Sequence, residues 1–438
     1  MQGLPQMAIE TPERATYTPR YRQYVLGILL VVYVFNFIDR QILSILLEPI
    51  RKDLMLSDTQ LGFLSGVAFA IFYATMGIPI ARLADRSSRV NVIAWSLTAW
   101  SVMTALCGLA MNFWQLMLGR IGVAVGEAGA SPASHSLISD YFAPETRASA
   151  MGIYAMGVPI GTLIGLLAGG WLVHFFDWRT AFIVVGLPGV LLAIIVRMTI
   201  KEPPRGNSEV TMRDQEPVPL KEALTFLWAR PSFRHVVLAV AFHAFVSYGY
   251  NGWLPAFFAR SYQMSSAEIG SWLAPLIGIF AGLGTFSGGY ISDYFAKRDR
   301  RWYVWVPGVT LIISVPFFIL AFMSNDKYTT LALLIVPLYF NYVYIGPTFA
   351  MIQGLATVRM RAIASAILLF VISLIGLGLG PFLVGVLSDF LKPEYGEESL
   401  RIALMFVFLF NIWAGIHYYI AGLTLREDLD SNPDLIQD

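Results

Sequence analysis

Twelve long apolar runs constrain this chain more than any motif within it. A membrane-spanning helix needs roughly 20 predominantly apolar residues. Such runs recur at about 23–47, 59–84, 90–111, 113–140, 147–173, 178–200, 233–260, 267–292, 302–324, 328–353, 359–388 and 400–424. Composition agrees: 56% of the 438 residues are hydrophobic and 13% are charged, where soluble domains carry about 25% charged residues. The chain is therefore predicted to be an all-α integral membrane protein of 12 transmembrane helices. A net charge of +1 gives no reason to expect a nucleic-acid partner. The single Cys107 excludes internal disulfides and thiolate metal clusters. No metal-ligand spacing, phosphate loop or nucleophile triad occurs, so neither enzymatic chemistry nor a cofactor or metal is expected. Residues 1–22 are polar and lack the apolar core of a cleaved signal peptide, and they read as a cytoplasmic N-terminal tail.

The runs divide into two halves. A polar, proline-bearing stretch separates the sixth run from the seventh, which gives a six-helix bundle over 23–200, a cytoplasmic linker over 201–230 and a second bundle over 231–425. Residues 426–438 form a cytoplasmic C-terminal tail. Within the linker, Leu220–Trp228 has the pattern of a short amphipathic surface helix. With both termini cytoplasmic, 21 of the 30 Lys and Arg residues fall inside, seven outside and two within spans. That bias fixes the expected orientation of a multi-pass plasma or inner membrane protein. An internal repeat supports the division. The segment ending Asp85-Arg86 after the second span recurs around Asp293 after the eighth, 208 residues later, and Arg147-Ala148 recurs as Arg361-Ala362, 214 residues later. Two pseudo-symmetric bundles joined by a basic linker are the plan of a rocking secondary transporter.

Four charges lie well inside the apolar runs of the first third of the chain, away from the run ends: Asp39 and Arg40 in the first, Arg120 and Glu127 in the fourth. Intramembrane charges are costly and face a cavity or a partner. Arg120 and Glu127 are seven residues apart, two turns on one helical face. That face is otherwise small (Gly126, Gly129, Ala130, Ser131, Ser134), leaving room for a solute or a neighbouring helix. At about 1.5 Å per residue, counted from the outer ends of the runs, Asp39 is roughly 12 Å deep, Arg120 roughly 10 Å and Glu127 roughly 21 Å. Asp39 and Arg120 are thus expected at matching depth, and Glu127 without an arginine at its own. Arginine stays charged, so the carboxylates are the expected proton-titrating groups. A permanent structural salt-bridge cluster is the competing reading.

At these residues the chain resembles the major facilitator superfamily. The loop after the second span reads Ala81-x-x-x-Asp85-Arg86-Ser87-Ser88-Arg89-Val90. It matches the family's inner-loop pattern at Asp85, Arg86 and Arg89 and departs from it at both glycines and at the last basic position. The match extends over about residues 20–425. Phe37-Ile-Asp39-Arg40, Arg120-x-Gly122-x-x-x-Gly126-Glu127-Ala128, Ser131-Pro132 and Ile138-Ser-Asp140-Tyr-Phe142 resemble the spinster-like branch, which includes sphingosine-1-phosphate and lysophospholipid transporters. The resemblance implies proton coupling at Glu127 and Asp39 with Arg120 and Arg40 as charge partners. It also implies a monomer carrying a lipid-like solute by alternating access. A small polar organic anion or drug is the alternative substrate, and a non-transporting receptor or scaffold the remote one.

Glycines 157, 161, 165 and 169 form a small-residue stripe suited to close helix packing. Candidate substrate-cavity residues are Phe69, Tyr73, Ser131, Ser134, His243, Tyr248, Asn251, Asn341 and Tyr344, a mixture of aromatic and sparse polar groups. Asp85, Arg86, Arg89, Asp293 and Arg361 are the candidate conformational latch. Asp85 would sit against the helix N-terminus near Arg361, where a carboxylate is favoured. Asp85→Asn should then move the population toward the inward-open state, a bias of about 1–3 kcal/mol. Spin-label distances across the cytoplasmic mouth measure it, and an unchanged distribution removes the latch.

Overall fold

The computed structural model describes residues 17–205, 207 and 218–432. The tail through residue 16 with Arg14, the linker residues 206 and 208–217 with Arg213, and residues 433–438 lie outside the described residues. All regular structure among the described residues is helical.

Twelve spans follow in order. Span 1 is Pro19–Leu54, span 2 Asp58–Arg86, span 3 Arg89–Cys107, and span 4 Phe113–Glu127 continued by Ala130–Tyr141. Span 5 is Pro144–Phe175 and span 6 Trp178–Thr199. After the surface helix Leu220–Trp228 come span 7 (Pro231–Tyr262), span 8 (Ser266–Ala296), span 9 (Trp302–Met323) and span 10 (Lys327–Leu355). Span 11 comprises Arg361–Val371, a π-helical stretch Ile372–Leu379 and Gly380–Tyr395; span 12 comprises Ser399–Phe408 and Phe410–Asp430. Several helices outrun their apolar segments. Backbone hydrogen bonding does not stop at the membrane edge, so span 1 continues seven residues past 47, to Leu54.

The packing repeats between halves. Span 1 packs on span 5 and span 3 on span 6; correspondingly, span 7 packs on span 11 and span 9 on span 12. The contacts across the halves obey the same symmetry, span 2 against span 11 and span 5 against span 8. Glycine makes those crossings possible. A Cβ on Gly66 would lie 2.4 Å from the Gly378 carbonyl, and one on Gly385 would lie 2.2 Å from the Asp58 carbonyl. Between spans 5 and 8, Gly170 and Gly270 meet in the same way. The Gly157–Gly169 stripe packs on span 1, against Tyr33, Val34, Ile38 and Ile45.

On the face opposite the chain ends, ion pairs bind the halves together. Arg260 of span 7 donates to Glu48 of span 1 at 2.7 Å and forks onto both oxygens of Asp58, at the start of span 2, at 2.7 Å each. Ser388 of span 11 donates to the same Asp58 carboxylate at 2.7 Å. The Asp389 carboxylate accepts from the Asp58 and Thr59 amides at 3.1 and 2.7 Å, capping span 2 from the other half. This face is closed.

The face of the chain ends differs. Asp85 and Arg361 are both exposed and no ion pair joins them, so the expected latch is not engaged in this conformation. Arg86 is exposed as well, and Asp293 accepts from the Tyr303 hydroxyl within its own half at 2.7 Å. Arg89 corrects the expectation outright. It is buried and holds the linker to its own bundle, donating to Glu202 at 2.6 Å, to the Pro203 carbonyl at 2.8 Å and to Asp140. Its side chain turns away from Asp85 because span 3 begins at Arg89 and directs it toward span 4.

Arg260→Met leaves Glu48 and Asp58 buried without their shared cation, a loss of about 3–5 kcal/mol in the closed arrangement. The face opposite the chain ends should open. Spin labels at Met55 and Tyr395 should report a longer distance, and an unchanged distance would show that glycine-mediated packing and the Asp389 and Ser388 contacts hold the face shut without Arg260.

Candidate functional site

The central site lies where spans 1, 2 and 4 meet the facing surface of span 7. Consecutive helical residues are rotated by about 100°, so Asp39 and Arg40 point to different places. Asp39 turns into its own bundle and is 2% exposed. Arg40 turns toward the space between the bundles, and its side chain is 18% exposed. Its Nε donates to Glu127 Oε2 at 2.7 Å, and the Glu127 side chain is fully buried.

This pairing overturns the expected depths. Arg40 lies 14 residues from Leu54, the observed end of span 1, and Glu127 lies 14 residues from Phe113, the start of span 4. Both are roughly 21 Å deep. Counting from residue 47 had placed Arg40 too near the surface, so Glu127 has an arginine at its own level after all. Arg120 is the shallower cation, and no direct ion pair joins it to Asp39. It remains within electrostatic reach of Asp39 and Glu127. Thr104 of span 3 lies beside Asp39, and Asn36 lies one turn before Arg40 next to Glu127.

Aromatic rings complete the arrangement. The Phe69 ring lies 5.2 Å from the Arg40 guanidinium carbon and 5.1 Å from that of Arg120, between the two cations. Tyr73 stacks on Phe69, and its ring centre is 4.7 Å from Arg40. Phe37 lies 5.3 Å from Arg40. Such cation–π contacts stabilise a guanidinium without neutralising it. Tyr33 of span 1 and Tyr248 of span 7 also lie within electrostatic range of Arg40. Tyr33 and Phe37 were missed from sequence, although they precede Arg40 by seven and three residues on one helical face.

The remaining candidates separate into cavity and core. Tyr248 is exposed; Asn251 is half-buried, donating to the Ser247 carbonyl at 2.8 Å with its Nδ2 3.5 Å from the Tyr342 hydroxyl. Ser131 is half-buried and Ser134 buried, both beside Tyr154, while His135 is exposed and meets the Tyr154 ring edge-on. Gly126 and Gly129 take a neighbouring helix instead of a solute, packing against Trp100 and Ser96 of span 3.

His243 and Asn341 are core, a correction to their cavity assignment. Span 10 breaks after Phe340, which leaves the Asn341 carbonyl outside regular helix. His243 Nε2 donates to it at 2.9 Å, its Nδ1 lies 3.0 Å from the Asn411 side chain, and Asn411 donates to Asn341 Oδ1 at 2.9 Å. Tyr344 packs against the His243 ring at 4.4 Å. A broken helix survives in a membrane only where its freed polar groups find such partners. His243→Phe should therefore lower the melting temperature, the loss of a buried hydrogen bond costing about 1–3 kcal/mol. Unchanged melting with lost transport would return His243 to the cavity.

Comparison with known proteins now has a geometry to rest on. The sequence pattern of the Major Facilitator Superfamily matches residues 29–381. Over 428 residues the chain is 35% identical to an MFS-type efflux pump of Mycolicibacterium smegmatis, covering 97% of this chain and 98% of that protein. Over 298 residues it is 28% identical to a probable L-galactonate transporter of Escherichia coli, covering 65% and 64% respectively. Its fold matches the crystal structure of a bacterial homolog to the human lysosomal transporter Spinster in an inward-facing and unoccupied conformation. The TM-score is 0.88 at 34% identity, covering 94% of this chain and 99% of that one. The chain belongs to the major facilitator superfamily as a spinster-like member, a multi-pass membrane transporter and not an enzyme.

Proposed function

We propose that this protein is a proton-coupled secondary transporter of an amphipathic organic anion such as a lysophospholipid, working by alternating access. The observation that carries the reading is the Arg40–Glu127 pair, whose cation is open to the space between the bundles while its carboxylate is sealed from it. An anionic substrate entering between the bundles meets Arg40 and competes with Glu127 for the guanidinium. A fully buried carboxylate stripped of its cation is costly, and taking up a proton removes that cost. Substrate binding and proton uptake are thus linked through one guanidinium. Asp39, held at longer range by Arg120, tunes the balance. Phe37 and Tyr73 are half-buried and offer apolar surface beside the charge, which suits a substrate with both an anionic and an apolar part, whereas Phe69 is fully buried behind them and is core, not cavity.

A small organic acid is the second reading, favoured by the similarity to a probable L-galactonate transporter and by the phenol hydroxyls of Tyr33, Tyr73 and Tyr248 around Arg40. In either case the proton is the coupling ion and no cofactor or metal takes part. The protein works as a monomer in the plasma or inner membrane with both termini cytoplasmic, as the distribution of Lys and Arg supports. Uptake by proteoliposomes under an imposed pH gradient, with a lysophospholipid and a hexuronate as competing substrates, distinguishes the two readings.

Glu127→Gln, a neutral mimic of the protonated state, should abolish the pH dependence of the outer-gate distance while the protein stays folded. Asp39→Asn should shift the midpoint of that response without removing it. Arg40→Ala should lose transport altogether, since no exposed cation then remains among the groups described at the site. A full and unshifted pH response in Glu127→Gln would place the proton elsewhere, with Asp39 and then His135 next in order.

A further inference from the structure

We propose that the lipid-facing groove between spans 9 and 12 is a binding site for one anionic phospholipid, drawn from the leaflet on the side of the chain ends. The groove is separate from the central site and exposes no polar atom. Its floor is made by Gly308 and Gly415. A Cβ on Gly415 would lie 2.4 Å from Ile312, and one on Gly308 would lie 2.9 Å from the Tyr418 side chain, so glycine brings the helices close and leaves a trough above them. The walls are aromatic. Trp305 is stacked with Tyr419 at 6.2 Å and 19°, and Trp302 stands edge-on to Trp305 at 5.7 Å. From Trp302 to Ile312 the trough runs ten residues, about 15 Å. That is half of the roughly 30 Å hydrocarbon core, the depth of one leaflet.

Charge at the mouth of the groove selects the headgroup. The loop before span 9 is Lys297-Arg298-Asp299-Arg300-Arg301, four cations and one anion. Lys297, Arg298 and Arg300 are exposed. The Arg301 guanidinium lies 4.5 Å from the Trp305 ring, at the top of the aromatic wall. Asp299 is already shared between Arg301 and Arg426 at 2.8 Å each. Hydrogen bonding to Arg301 holds its carboxyl down to about 2, so it stays ionised and is already engaged by two arginines. Among nearby acids, Asp293 accepts from the neutral Tyr303 hydroxyl, which offsets none of its charge, and Glu427 lies exposed beside Arg426, so the four cations of the loop face two acids, Asp299 and Asp293, and positive charge remains in excess. An apolar trough, tryptophans at the interface and free cations above them match the acyl chain, glycerol region and phosphate of an anionic lipid. A second copy of this chain fits worse, because a twofold contact on this face would bring two basic loops together.

Native mass spectrometry of the full chain, released from bilayers of equal phosphatidylglycerol and phosphatidylcholine, tests the site. The expected result is one retained phosphatidylglycerol in preference to phosphatidylcholine. Ile416 lines the trough with its side chain outward, so Ile416→Trp fills the trough without disturbing the core and should abolish retention of the lipid. The triple variant Lys297→Gln/Arg298→Gln/Arg300→Gln changes only exposed side chains and should lower the preference for phosphatidylglycerol by about tenfold or more. Equal retention of the two lipids by the unaltered protein, or unchanged retention in both variants, would overturn the proposal. So would a dimer that Ile416→Trp dissociates.

Discussion

A charge placed among lipid-facing helices is costly unless paired or led to water, and the organisation of this molecule follows from how Arg260 and Arg40 meet that demand. Two ionic centres result. At the outer end Arg260 of the second half serves two carboxylates of the first. In the middle Arg40 serves Glu127 within a single half. The difference decides what each can do. Separating the halves at the outer end must break the Arg260 cluster, so that cluster is part of the barrier between conformations. The Arg40 pair survives any rigid movement of one bundle against the other. Such a movement changes what reaches the pair and not the pair itself.

Closure at the outer end also depends on backbone geometry. Gly66 against Gly378, Gly385 against Asp58 and Gly170 against Gly270 bring main chain to main chain across the halves. Contacts of this kind leave no long side chain to repack, so they form and separate as flat surfaces do, which suits rocking of two rigid bundles. The ion pairs then supply what flat surfaces lack, a register. Asp389 caps the start of span 2 from the opposite half, and only one relative position of the bundles satisfies it.

The fold was legible because its signal is local. Twelve apolar runs and the repeat around Asp85 and Asp293 each require only counting. The four central charges were legible for the same reason, since Asp39, Arg40, Arg120 and Glu127 stand out against an apolar background. Their pairing was not. Counting residues gives height along a helix only if the helix end is known, and apolarity marks the end of the hydrocarbon instead. Span 1 continues to Leu54, and that extension alone moved Arg40 to the level of Glu127. Direction around the helix was equally hidden, so Arg89 read as part of a latch when it anchors Glu202 and Asp140. His243 and Asn341 read as cavity because they are polar. They are polar because a broken helix needs partners, a reason visible only once the break after Phe340 is seen. Arg260 drew no notice in the sequence, for nothing in one sequence announces a partner 202 residues away.

The charge balance of the central site bears on the kind of anion the proposed exchange can accept. Of the two central guanidiniums only Arg40 is open to the space between the bundles; Arg120 is buried on the other side of the Phe69 ring. With Glu127 protonated, Arg40 presents one positive charge. A carboxylate or a phosphodiester neutralises it fully. A phosphate monoester carries about −1.5 to −2 near neutral pH, which leaves excess charge against aromatic walls that cannot compensate it. The surroundings decide in the same direction, since Tyr33, Tyr73 and Tyr248 can donate hydrogen bonds to an anion but carry no charge themselves. For the proposed exchange, a monoanionic group is therefore a better match to Arg40 than a dianionic one.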